Sequence, residues 1–65
     1  MRVGGRPWRR VRAYVLARDG HVCQLRVPDV CTIVATTVDH VIPIRDRPDL
    51  ELDARNLRAS CEPCN

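Results

Sequence analysis

The chain has no phenylalanine and no lysine, and Trp8 and Tyr14 are its only Trp or Tyr residues. A core without large rings is thin. At 65 residues, a single apolar core rarely stabilises a fold alone, and small domains recruit disulfides, a metal or a partner. Size also excludes two domains, a β-sandwich or a large enzyme cleft. No apolar run approaches the ~20 residues of a membrane span. The polar, cationic stretch Met1 to Arg12 holds no apolar segment of signal-peptide length. The reading is therefore a cytoplasmic protein with no membrane contact. A net charge of only +3, with apolar residues in short periodic runs, argues against a disordered chain.

Acidic residues are missing from the first eighteen positions, which carry Arg2, Arg6, Arg9, Arg10, Arg12 and Arg18. The remaining residues hold five arginines against eight acids. A basic head on a mildly acidic body suits a polyanion, because phosphate contacts supply affinity regardless of sequence. That every cation is Arg fits bidentate phosphate contacts. It fits a coding bias toward GC-rich codons equally well.

Residues 1–7, with Gly4, Gly5 and Pro7, read as a flexible basic arm. Residues 8–65 are the folded domain. Trp8, Val11, Val15 and Leu16 recur at helical spacing as far as Arg18, and Gly20 is placed to cap that helix, which makes Trp8 a packing residue, with base stacking as the alternative. His21 to Leu25 is a short strand or turn, and Arg26 to Val30 reverses the chain toward Cys31. Thr32 to Ile42 is rich in β-branched residues and is the strongest strand, ended by Pro43. Arg45 to Asp53 is a surface loop tied down by Leu50 and Leu52. Asn56 to Ser60 is a second strand, and Cys61 to Cys64 is a tight knuckle.

In a reducing compartment Cys23, Cys31, Cys61 and Cys64 read as metal ligands, with two disulfides as the alternative. The C-x2-C of Cys61 and Cys64 has the spacing at which one turn aims two thiolates at one ion. Cys23 and Cys31, separated by seven residues across the Pro28-Asp29 reversal, would complete a closed zinc site. His21 is a substitute ligand or a surface histidine.

Asp39-His40 stands near the end of the long strand, where a buried Asp or an unpaired His would be costly in so small a core. With its surroundings the pair resembles the HNH endonuclease family. The resemblance rests on Trp8-Arg9-Arg10-Val11-Arg12 through Leu16-Ala17-Arg18-Asp19-Gly20 and on Cys23 and Cys31. It continues in Ala35-Thr36, Val38-Asp39-His40-Val41-Ile42-Pro43, Asn56-Leu57, and Cys61-x2-Cys64-Asn65. It runs from about Trp8 to the last residue.

The resemblance implies a small α+β fold: an N-terminal helix and a ββα-metal (His-Me finger) unit with a structural zinc, the final helix truncated at Asn65 so that the domain is C-terminally incomplete. It implies a catalytic Mg²⁺ or Mn²⁺ held by Asp39 and Asn65, with His40 as general base and Asn56 fixing the loop that orients it. The substrate so implied is double-stranded DNA, cut to 5′-phosphate and 3′-hydroxyl ends, with phage terminase or other DNA-processing proteins as partners. Arg9, Arg10, Arg12, Arg45 and Arg47 are the candidate phosphate contacts. The alternative is a zinc-stabilised nucleic-acid-binding module without catalysis, which would need the four cysteines but has no use for Asp39, His40 and Asn65 in register.

Overall fold

A computed structural model describes residues 5–65 of the chain. Helix α1 spans Gly5–Arg18 and places Val15 and Leu16 in the core, with Trp8 and Val11 packed against it. It begins three residues before the expected start, so Gly5, Arg6 and Pro7 are helical rather than part of an arm. Residues 1–4 of that arm lie outside the described residues. Pro7 is tolerated because the first turn of a helix has no internal partner for an N–H. The helix ends as a Schellman motif: Gly20 N–H donates to Ala17 O at 3.1 Å and His21 N–H to Leu16 O at 2.9 Å, with Gly20 at φ +63°.

The two residues at that end stitch the helix to the sheet. The Arg18 guanidinium donates to both Asp19 oxygens, at 2.9 and 3.1 Å, and to the carbonyls of Ala54 and Leu57, at 2.8 and 2.7 Å. Asp19 Oδ2 accepts the Ala59 N–H at 2.9 Å. The Arg18 guanidinium holds the Asp19 carboxyl below its ordinary range, against the effect of burial and with help from the Ala59 amide.

Strand β1 (Thr37–His40) pairs antiparallel with strand β2 (Leu57–Ser60), Thr37 opposite Ser60 and His40 opposite Leu57. The core is Val15, Leu16, Ala35, Val38, Leu57 and Ala59. The expected α+β architecture is therefore present, but the first strand is four residues long rather than the whole of Thr32 to Ile42. Ile33 at φ +71° breaks the extended path, and Val34 pairs only through an isolated bridge with Val22. A strand extends only as far as it has a partner. β2 ends at Ser60, where the chain turns into the Glu62–Cys64 3₁₀ turn. Asn56, expected to open β2, instead closes the 3₁₀ turn Ala54–Asn56.

The loop between the strands contains another 3₁₀ turn, Pro48–Leu50. Leu50 is half-buried there as expected, whereas Leu52 is exposed and ties nothing down. No helix among the described residues is long and apolar enough to cross a membrane.

Candidate metal centre and imidazole site

The register of β1 and β2 separates two groups of side chains. Beyond Ser60, opposite Thr37, lie the cysteines. Beyond Leu57, opposite His40, lies Asn56.

At the first end the chain brings together sulfurs from residues far apart in sequence. The Sγ atoms of Cys23, Cys31, Cys61 and Cys64 all lie within 4.8 Å of one another, and those of Cys61 and Cys31 are 3.9 Å apart. Four sulfurs about 2.3 Å from a zinc ion would sit about 3.8 Å apart, so the cluster has the dimensions of a closed tetrahedral site. His21 is exposed and outside this group, which leaves it as a surface histidine. The cysteines are free, not disulfide-bonded. Left-handed backbone at Arg26 and Asp29 folds the intervening loop tightly enough to return Cys31 to Cys23, and beyond Cys31 the Cys23 N–H bonds to the carbonyl of Ile33, itself left-handed, at 2.6 Å.

Backbone amides point at the sulfurs: Thr32 N–H at Cys61 Sγ, 3.4 Å, and Ile33 N–H at Cys31 Sγ, 3.3 Å. Burial pushes the Cys61 thiol up, but the Thr32 amide and the Cys64 contacts outweigh it and bring it down to about 6. Cys23 is lowered as well: burial opposes, and the backbone amides of Arg26, Cys61 and Leu25 prevail. Cys64 is pushed up to about 12 by burial and by the other three sulfurs, against the Val27 backbone. Four sulfurs this close cannot all ionise without a cation between them, and this donor set is the one zinc takes.

At the second end, His40 is held by two contacts. Its Nε2 lies 2.9 Å from the Glu51 carbonyl oxygen. A carbonyl only accepts, so Nε2 carries the hydrogen and the neutral ring keeps its lone pair on Nδ1. The ring also stacks on Trp8 of α1, centroids 5.7 Å apart and planes 15° from parallel. Asn56, 6% exposed, closes the loop that follows: its Oδ1 accepts from Ile42 N–H at 2.9 Å, its Nδ2 donates to Ile42 O at 3.1 Å, and its backbone O accepts from Val41 N–H at 2.8 Å. Asn56 thus occupies both backbone polar groups of the residue two positions after His40.

Asp39 is half-buried and faces Arg58 across the ladder, with Arg58 Nη2 and Nε at 3.1 and 3.4 Å from Oδ2. Both hydrogen bonds to Asp39 among the described residues fall on Oδ2, which leaves Oδ1 available to a cation. Asn65 is exposed, and its backbone N–H bonds to Cys61 O at 3.2 Å and Glu62 O at 3.1 Å. No hydrogen bond among the described residues joins it to Asp39 or His40.

The arginines sort by their partners. Arg18, Arg45, Arg47, Arg55 and Arg58 each lie against a carboxylate. Of the expected phosphate contacts, Arg47 is bidentate to Asp49, Arg45 lies 3.8 Å from Asp46, and Arg12 donates to Thr36 O. Arg9 and Arg10 are exposed and, with Arg6 and Ala13, line an open depression on the outer face of α1. No ion pair involves these three arginines among the described residues.

Sequence reasoning misses Arg58, the Glu51 carbonyl and the Trp8 stack. Arg58 becomes visible once the register is known, since it stands directly opposite Asp39. The Glu51 contact is made by backbone and has no side-chain signal.

A family model described as HNH endonuclease matches residues 21–65. Among solved structures, the HNH endonuclease of the deep-sea thermophilic bacteriophage GVE2, crystallised with manganese ion, is similar to this chain at a TM-score of 0.78 and 35% identity. The match covers 92% of this chain and 65% of that one, so the chain spans just under two thirds of that relative's length. No curated protein matches the chain.

Proposed function

The chain belongs to the HNH endonuclease family, and from that premise we propose that it hydrolyses phosphodiester bonds of double-stranded DNA with His40 as general base. The observation that carries this reading is the Nε2 contact to the Glu51 carbonyl, which leaves Nδ1 as the proton acceptor at an imidazole whose strand and following loop are both tied down. In this reading Nδ1 takes a proton from the attacking water as general base. Asn56 keeps the loop after His40 from moving and so preserves the direction of that lone pair.

Asp39 and Asn65 would hold the catalytic cation. Their oxygen donors fit Mg²⁺ or Mn²⁺, and the relative carries manganese. Bound there, such an ion would supply positive charge for the leaving 3′ oxygen. Arg58 balances the Asp39 carboxylate. The four cysteines would hold a structural zinc, with Asn65 directly following its ligand Cys64. Arg9 and Arg10 are the proposed contacts to the DNA backbone, with Arg12, Arg45 and Arg47 retaining only the donors their own partners leave over. The proposed setting is the cytoplasm, with a terminase or another DNA-processing protein as partner.

The second reading, a zinc-stabilised nucleic-acid-binding module, draws on the same cysteines and arginines. It gives no reason for Asn56 to secure the loop behind His40. Incubating the zinc-loaded chain with supercoiled plasmid separates the two. Nicked or linear DNA with Mg²⁺ or Mn²⁺, and none with a chelator that spares the zinc, is the expected result. Retarded but uncut plasmid under both conditions would favour the binding module.

A further inference from the structure

We infer that Trp8 is a positioning residue for His40: its indole sets the plane of the imidazole and hence the direction of the Nδ1 lone pair. The inference rests on the nuclease reading for its consequence but on the stack itself for its geometry.

Two contacts hold the ring, and they constrain different things. Nε2 lies close to the axis of the Cβ–Cγ bond, so its hydrogen bond to Glu51 O at 2.9 Å tolerates considerable rotation of the ring about that axis. The Nδ1 lone pair points well away from the axis and sweeps through space as the ring turns. A near-parallel, offset ring neighbour resists that rotation. Trp8 supplies one, at 5.7 Å between centroids and 15° between planes. Trp8 is itself held, since it is half-buried and packs against the core cluster. Helix α1 is further fastened to the sheet by Arg12 to Thr36 O and by Arg18 to Leu57 O. α1 thus delivers a rigid plane to the residue opposite Leu57, although it lies wholly outside the 21–65 segment that the family model matches.

A merely structural Trp8 would serve equally well as any apolar side chain that fills the space. A plane-setting Trp8 requires an aromatic face. The experiment compares the parent with Trp8→Leu and Trp8→Phe, each verified to hold the parental zinc and to give a dispersed amide spectrum. The first measurement is the proton NMR shift of the His40 ring, which needs neither DNA nor a catalytic ion. The ring protons should be displaced upfield by the indole in the parent, partly so in Trp8→Phe, and lie at ordinary positions in Trp8→Leu.

The second measurement is cleavage kinetics on a short duplex. Trp8→Leu should lower kcat by about 10- to 100-fold with KM unchanged, the scale of loss that misplacing a reacting group produces. Trp8→Phe should recover most of it. Unshifted His40 resonances in the parent would overturn the proposal, as would equal kcat values for the Leu and Phe variants or a loss confined to KM. Shifted resonances in a parent that does not cleave would overturn the nuclease reading and leave the stack standing.

Discussion

The two ends of the β1–β2 ladder are built by different means. The end beyond Ser60 gathers Cys23, Cys31, Cys61 and Cys64 from a separation of forty-one residues, and backbone amides and carbonyls of the loop fold around their sulfurs. The end beyond Leu57 is closed by hydrogen bonds, Asn56 to Ile42, His40 to Glu51 and Val41 to Asn56, and by the Trp8 stack on His40. The difference shows how a 65-residue chain divides its labour. One end carries a donor set that could hold a metal, and the other keeps an imidazole with an open nitrogen.

Removing the metal is the harshest way to break this division. A chelator strong enough to strip a four-thiolate site should unfold both ends together, because β2 joins them and the apolar core is too small to stand without the staple. Structural zinc contributes about 10–16 kcal/mol of folding free energy in modules of this size. Loss of amide dispersion in step with zinc release is the expected observation. Acid acts in the same direction. Zinc requires thiolates, and uptake must displace the proton of Cys64, pushed up to about 12, while Cys61, down at about 6, is largely ionised at neutral pH. Apparent zinc affinity should therefore fall as pH falls, and uptake at neutral pH should release protons, measurable calorimetrically in buffers of different ionisation enthalpy.

A gentler cut should touch one end only. Asn56→Ala leaves the Ile42 N–H and carbonyl without their partners, at a cost of about 1–3 kcal/mol from two missing hydrogen bonds in an exposed loop. It should abolish or strongly reduce cleavage while zinc content stays at the parental level. Loss of zinc in Asn56→Ala would mean that the two ends are not separable.

The smallest effect concerns neither end. Replacing Arg6, Arg9 and Arg10 with Gln should leave fold and zinc untouched and lower the salt dependence of DNA binding by roughly one unit of slope for each phosphate that these arginines neutralise. An unchanged slope would make the outer face of α1 a merely solvated one.

Much of this is legible in the chain before folding. The helical spacing of Trp8, Val11, Val15 and Leu16, the Gly20 cap and the metal reading of the four cysteines all rest on local pattern, and the helix, its cap and the sulfur cluster are present in the structure. The extent of β1 is not legible. Thr32 to Ile42 has the composition of a strand throughout, but a ladder needs a partner at every position, and Ile33 and Val34 are taken up by the cysteine loop instead. The arginines mislead for a related reason. Arg47 and Arg12 look available in a linear chain, and only the fold reveals Asp49 beside one and the Thr36 carbonyl beside the other. Trp8 is the packing residue that its spacing predicts, but a stack on a residue thirty-two positions away leaves no trace in local pattern.

The central claim is that the sulfur cluster and the His40 imidazole reside at separate ends of one ladder. Plasmid cleavage by His40→Ala, measured alongside its zinc content and amide spectrum, tests it most directly. The account predicts about one zinc per chain, a parental spectrum and cleavage reduced by at least about 100-fold, on the scale that general-base catalysis contributes. A His40→Ala chain that cuts at close to the parental rate, or one that loses its zinc along with its activity, would contradict it.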